Sequence, residues 1–307
     1  MANPPSTRRH FLRNAVIASA SAGFGAAAAP AIEPIRRTAK PQFRLSLAAY
    51  SFRQALNLKK PTMTLDGFID MAAGLPLDAV ELTGYYFAQT TNPYLAGLKG
   101  RCTRLGLDIS GTAVRNDFCT TDSARLKTDI AHVKTWIEHT SRLGGKSIRI
   151  FAGTIGKGDT EERARTRCVA AIEEVCAHAG QFGIYVALEN HGGITATPDL
   201  MLPLVRAVKS DWFGVNLDTG NFHVKVLEQI EVCLPYAVST HIKTEMRRDD
   251  GATGPADWDR IFSMFARHGY KGYMTIEYEA KEDPNIAVPR ACKRLRELAA
   301  RYSSIPG

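Results

Sequence analysis

The sequence predicts a single (β/α)8 TIM barrel carried behind an export leader. Three observations predict it. Eight short apolar runs alternate with helix-length amphipathic segments. The chain behind the leader, roughly 275 residues, is the size of one such barrel. The last four apolar runs each end on an ionisable residue, where a barrel of this kind carries its chemistry.

Residues 1–31 precede the fold. Thr7-Arg8-Arg9-His10-Phe11-Leu12-Arg13 is followed by a mild apolar stretch over 14–29 and then by Ala29-Pro30-Ala31. Paired arginines, a soft apolar core and a small-x-small site, in that order, predict a twin-arginine signal cut after Ala31. The expected partner is therefore the twin-arginine export machinery, and the expected location is periplasmic or otherwise exported. The apolar core is too short for a stable membrane anchor across ~30 Å of hydrocarbon.

Loss of Arg8, Arg9 and Arg13 leaves 36 basic and 31 acidic residues, a net charge of +5. That balance is too mild and too scattered for a nucleic-acid partner, and no zinc-finger spacing occurs. The six cysteines (102, 119, 168, 176, 233 and 292) form no CxxC pair. Cys168 and Cys176 fall on one expected helix ~12 Å apart, beyond disulfide reach. They read as small buried hydrophobes.

Residues 32–43 form a Pro-containing linker, and the barrel is expected over 44–303. The strand candidates are 44–52, 78–83, 107–114, 147–151, 185–189, 213–218, 238–243 and 273–279. Each is rich in β-branched, aromatic or aliphatic residues and bounded by Gly, Pro, Asn or Asp. Helices are expected over 125–143, 161–182, 199–208, 257–268 and 289–302, where apolar residues recur at three- and four-residue spacing. Gly144, Gly183 and Gly269 close three of the intervening segments. Strands joined by helical crossovers imply a parallel sheet with right-handed connections. A doubly wound open sheet would bring a Gly-rich turn after its first strand, and 47–52 contains no glycine.

The strand ends carry the chemistry. Strand five ends on Glu189, strand six on Asp218, strand seven on His241 and strand eight on Glu277. Three carboxylates and an imidazole gathered at one mouth need a compensating cation. One divalent metal ion supplies it, and oxygen-rich ligation with one histidine suits Mn, Mg, Co or Zn, with Mn favoured. His191 and Lys243, beside these positions, are candidates for proton shuttling or substrate contact. Trp258 is a candidate stacking platform for a sugar.

Glu189-Asn190-His191-Gly192-Gly193, Asn216-Leu217-Asp218-Thr219-Gly220-Asn221, His241-Ile242-Lys243, Gly254-Pro255-Ala256-Asp257-Trp258 and Gly269-Tyr270-Lys271-Gly272-Tyr273 leading into Ile276-Glu277 together resemble a known family. It is the group of xylose isomerase-like barrels described as sugar phosphate isomerases/epimerases. Ketose 3-epimerases and inosose dehydratases belong to it, and the endonuclease IV fold is related. The resemblance spans residues 44–298. It implies that Glu189, Asp218, His241 and Glu277 all ligate the metal, and that Glu189 and Glu277 are the catalytic acid/base pair. Two departures stand out. Where ketose 3-epimerases have a histidine three residues after the aspartate, this chain has Asn221, with His223 two further on. Where they bind substrate with a glutamate, it has Thr195; the arginine six residues after the metal histidine is retained as Arg247.

The implied activity is that of a metal-dependent isomerase or epimerase acting by proton transfer through an enediolate. Export points to a small unphosphorylated carbohydrate or keto-sugar. The alternatives are a lyase or hydratase on 3-keto-glycosides or inososes with the same site, and a non-catalytic sugar-binding protein. Oligomeric state is left open.

Overall fold

The computed structural model describes residues 32–303, so the leader expected over 1–31 lies outside the described residues. Eight parallel strands close a barrel: β1 (Gln42–Ala48), β2 (Ala79–Thr83), β3 (Asp108–Ala113), β4 (Ser147–Ile150), β5 (Tyr185–Glu189), β6 (Phe213–Asp218), β7 (Ala237–Ile242) and β10 (Lys271–Ile276). The ring runs β1-β10-β7-β6-β5-β4-β3-β2, and β1 seals it by pairing with both β10 and β2. This is the single (β/α)8 TIM barrel that the alternation of apolar runs predicts.

The helices are α1 (Leu65–Ala73), α2 (Asn92–Arg104), α3 (Ser123–Leu143), α4 (Glu161–Phe182), α5 (Pro198–Ala207), α6 (Val226–Cys233), α7 (Trp258–Arg267) and α8 (Pro284–Ser303). Side-chain caps mark where the loops after the strands end. Thr64, Asp122, Thr160, Thr197 and Asp257 each accept a backbone N–H from the first turn of the helix they precede. Gly144 and Gly183 end α3 and α4 in the left-handed region, at φ 83° and 66°. Helix α8 begins at Pro284 rather than at 289: Pro284 takes the first-turn position, and Pro289 lies inside the helix. The first strand is shorter than its apolar run, because 49–52 form a 3-10 turn and not the end of β1.

Leu45, Leu47, Val80, Leu82, Val186, Leu188, Val215, Leu217, Met274 and Ile276 are fully buried in the main apolar core. The lumen is different. Ser46 and Ser110 share a hydrogen bond of 2.8 Å between strands that are not neighbours, and Ser239 donates to Asn216 at 2.7 Å. Polar side chains thus cross the interior of the barrel. All six cysteines are buried and free. Among the described residues, no helix is long and apolar enough to cross a membrane.

Two features lie outside the simple alternation. A short antiparallel hairpin, β8 (Glu245–Arg247) with β9 (Thr253–Pro255), follows β7. The segment expected as a linker is packed: Ile35 N–H donates to Pro235 O at 2.9 Å, and the Arg37 guanidinium donates to Ala237 O at 2.5 Å.

Candidate metal centre

Glu189, Asp218, His241 and Glu277 meet at the C-terminal mouth because adjacent strands bring them into register. Asp218 pairs directly with His241 across β6 and β7, and Glu189 pairs with Asn216 across β5 and β6. Asn190 ties the ends of β5 and β6 together, donating to Asp218 O at 2.9 Å and accepting from Asp218 N–H at 2.8 Å. Glu277 follows β10, its N–H bonded to Ile242 O at 3.1 Å.

Ligating atoms of Glu189, Asp218 and His241 lie within 4.8 Å of one another, and all three residues are buried. Asp218 Oδ2 and His241 Nδ1 are buried without a hydrogen-bond partner. The Lys243 ammonium is 3.2 Å from that Asp218 oxygen, an ion pair lacking hydrogen-bond alignment. Two orphaned polar atoms and the Glu189 carboxylate are the donors a divalent cation takes, so the residues fit a metal ion. Glu277 stands outside that set of three. Its Oε2 is 3.4 Å from His241 Nδ1 but accepts from Lys243 Nζ at 2.5 Å.

Charges in the wall set Glu189 apart from Asp218. Arg149, buried on β4, places Nε 2.9 Å from Glu189 Oε2. Burial pushes the Glu189 carboxyl up, but the Arg149 and His241 cations outweigh it and hold it down to about 2. Asn216 and Asn221 donate to the two oxygens of Glu189 at 3.3 and 3.1 Å. For Asp218 burial wins: its carboxyl is pushed up to about 7, against the pull of Lys243. Burial works against the charged forms of His241 and Lys243, yet the surrounding carboxylates raise both. Glycine makes room for the lysine, since a Cβ on Gly220 would sit 2.5 Å from Lys243 Cγ.

The remaining expected residues divide by position. Lys243 bridges Asp218, Glu277 and Glu279, and Asn221 touches Glu189. His191 is exposed and packs its ring on Phe151, with centroids 4.2 Å apart. Trp258 donates its indole N–H to Lys243 O at 2.8 Å and so braces the end of β7. Trp258 also lines a cavity with Tyr278, Arg290 and Arg294, whose lining includes none of Glu189, Asp218, His241 and Glu277. His223 is exposed, and Arg247, also exposed, bonds to Gly251 O within its own hairpin at 3.3 Å. Neither is joined to the cluster. Thr195 is buried and caps its own loop, accepting from His191 N–H at 3.0 Å.

Two residues were missed at the level of sequence. Arg149 pairs with Glu189, and Glu81 on β2 faces His241 Nε2 with both oxygens, at 3.2 and 3.1 Å. Each is a lone charge inside an apolar strand, and that anomaly is the signal that could have found them.

Residues 69–298 match the family model described as xylose isomerase-like TIM barrel. No curated protein matches the chain in sequence. Among solved structures, a xylose isomerase domain protein from Planctomyces limnophilus is similar at a TM-score of 0.67 and 14% identity, covering 87% of this chain and 100% of its own. The 3-keto-D-glucoside 4-epimerase YcjR from E. coli is similar at 0.65 and 14%, covering 84% and 100%. The probable 3-DHS dehydratase AsbF from Bacillus anthracis is similar at 0.64 and 19%, covering 82% and 98%. At these identities the likeness is one of fold.

Proposed function

Because the chain belongs to the xylose isomerase-like TIM barrel family, we propose that it is a metal-dependent isomerase or epimerase of an unphosphorylated sugar or keto-sugar. The observation that carries this reading is the pair of glutamates flanking one imidazole. His241 Nδ1 lies 3.4 Å from an oxygen of Glu189 and 3.4 Å from an oxygen of Glu277. A divalent ion held by Glu189, Asp218 and His241, with Glu277 as fourth ligand, would polarise a substrate carbonyl and acidify the neighbouring C–H.

Glu189 and Glu277 are the proton-handling pair. They reach the centre from strands on different sides of His241, so each can serve one face of a substrate carbon. Arg149 keeps Glu189 ionised and ready to accept a proton, while Asn216 and Asn221 fix its orientation. Lys243 steers Glu277 and balances the charge it shares with Asp218 and Glu279. Trp258 acts through Lys243 by holding its carbonyl. The export signal expected in residues 1–31 supports an unphosphorylated substrate outside the cytoplasm.

The test is isotopic. Incubation with keto-sugars in D2O gives deuterium in the recovered sugar and its epimer, and EDTA stops the exchange until Mn or Co is restored. Glu189→Gln or Glu277→Gln lowers the exchange rate by about 10²–10⁴-fold, the usual worth of a positioned acid or base. Full activity in metal-free protein would overturn the mechanism. A second reading, β-elimination by a lyase, is favoured by the Lys243 ammonium at 2.5 Å from Glu277, which puts a proton donor for a leaving oxygen beside the base. Release of the leaving group in the same assay identifies it.

A further inference from the structure

We infer that Glu81 is a positioning residue for the metal centre: it clamps His241 through Nε2, so that Nδ1 is the nitrogen offered to the cation. This rests on the proposed metal site and adds to it a residue outside the ligand set. Glu81 lies on β2, three strands around the ring from β7, so its side chain reaches His241 across the lumen. Both carboxylate oxygens lie within hydrogen-bond distance of Nε2, at 3.2 and 3.1 Å. Among the described residues, His241 is the one group to which the Glu81 side chain hydrogen-bonds. On the other side of the ring, Nδ1 is buried, has no hydrogen-bond partner and faces Glu189 and Glu277.

A carboxylate oxygen that accepts from Nε2–H selects the imidazole form with a proton on Nε2 and a lone pair on Nδ1. It also stops the ring from turning over, which would carry Nδ1 away from the other ligands. Carboxylates that take the second N–H of a metal-bound histidine orient the ring in this way and strengthen it as a ligand.

Packing alone does not account for a glutamate here. Ser110, Ser239 and Thr275, which line the same space, are small hydroxyl residues, whereas Glu81 puts a carboxyl group at 5% exposure inside the barrel. A buried carboxylate is costly unless it is hydrogen-bonded. Its far side borders a cavity of about 300 Å³ at the N-terminal end of the barrel, which also bears Arg44 and Lys146.

The test uses the full chain stripped of metal. Calorimetric titration of the wild type with Mn²⁺ comes first, because absence of binding there refutes the metal site itself and with it this role. Given wild-type binding, Glu81→Ala weakens Mn²⁺ affinity by about 10–100-fold. Glu81→Gln, equal in size and able to accept from Nε2–H through its amide oxygen, recovers part of the loss. In Zn²⁺-loaded protein with ¹⁵N-labelled histidine, wild type shows a slowly exchanging His241 Nε2–H resonance that Glu81→Ala loses. Should Glu81→Ala fail to fold, Glu81→Gln in both measurements decides the matter. Folded variants that bind Mn²⁺ within about twofold of wild type, or a spectrum with the proton on Nδ1, would overturn the assignment.

Discussion

Asp218 carries an uncompensated burial cost in the metal-free barrel, because burial holds its carboxyl at about 7 instead of near its ordinary 3.8. The folded state therefore keeps a proton that the unfolded chain gives up at lower pH. Stability of the metal-free protein should fall as pH rises from about 4 through 7, since the folded form binds more protons over that window. Glu189, held down to about 2, works the other way: its contribution is complete above the ordinary carboxylate range and is lost as pH falls through about 2. In EDTA, Asp218→Asn should flatten the fall between pH 4 and 7 and stabilise the protein at pH 8 by a few kcal/mol, because each tenfold change in proton affinity is worth roughly 1.4 kcal/mol. Urea denaturation across that range checks it, and an unchanged slope would refute the assignment. The four strand-end residues were legible in the sequence because each follows an apolar run, where a barrel presents its mouth. Glu81 and Arg149 were not, because their meaning depends on partners 160 residues away for Glu81 and on a neighbouring strand for Arg149.

Strands β5 and β6 and helix α4 match the sequence reading in full: α4 is a long periodic segment, and β5 and β6 are short, largely apolar runs that each end on a carboxylate. Helices α1, α2 and α6 lay in segments read only as helix-length. Helix α2 buries just Leu95, Leu98 and Cys102, too sparse an apolar face to stand out. The β8–β9 hairpin has three-residue strands, too short for alternation to register. Between elements, the loop after β5 touches the loop after β4 backbone to backbone. Gly193 has φ 53°, and a Cβ there would fall 2.1 Å from Gly153 O. Gly158, at φ 80°, has nothing within 4 Å of such a Cβ. Gly158→Ala isolates the cost of the left-handed backbone, about 1 kcal/mol. Gly193→Ala should cost more, about 2–4 kcal/mol, and should also weaken Mn²⁺ binding, because the shift propagates to Glu189 and Asn190. Equal melting temperatures for the two variants would show that the loop contact does not matter.

At the scale of the whole barrel, the lumen is an electrostatic core in place of the branched apolar layers that usually fill this fold. Glu81, Glu189, Asp218 and Glu277 are buried together against Arg149, His241 and Lys243. Lys243 pairs with three carboxylates, yet Asp218 Oδ2 and His241 Nδ1 still lack hydrogen-bond partners. A cation bound there removes that deficit in the folded state alone, because the unfolded chain scatters the donors along its length. Binding then couples to folding by mass action, worth about 2.7 kcal/mol at a free metal concentration 100 times the dissociation constant. At roughly 2–4 °C per kcal/mol for a domain of this size, the melting temperature should rise by about 5–10 °C between EDTA and Mn²⁺. Scanning calorimetry measures the shift. Asp218→Asn and His241→Asn should each lose most of it while still melting cooperatively, and Ca²⁺ should give less than Mn²⁺ because an imidazole ligand favours the softer ion. A wild-type melting temperature unmoved by Mn²⁺ at millimolar concentration would mean that Lys243 and Arg149 already balance the lumen and that the cluster is not a metal centre.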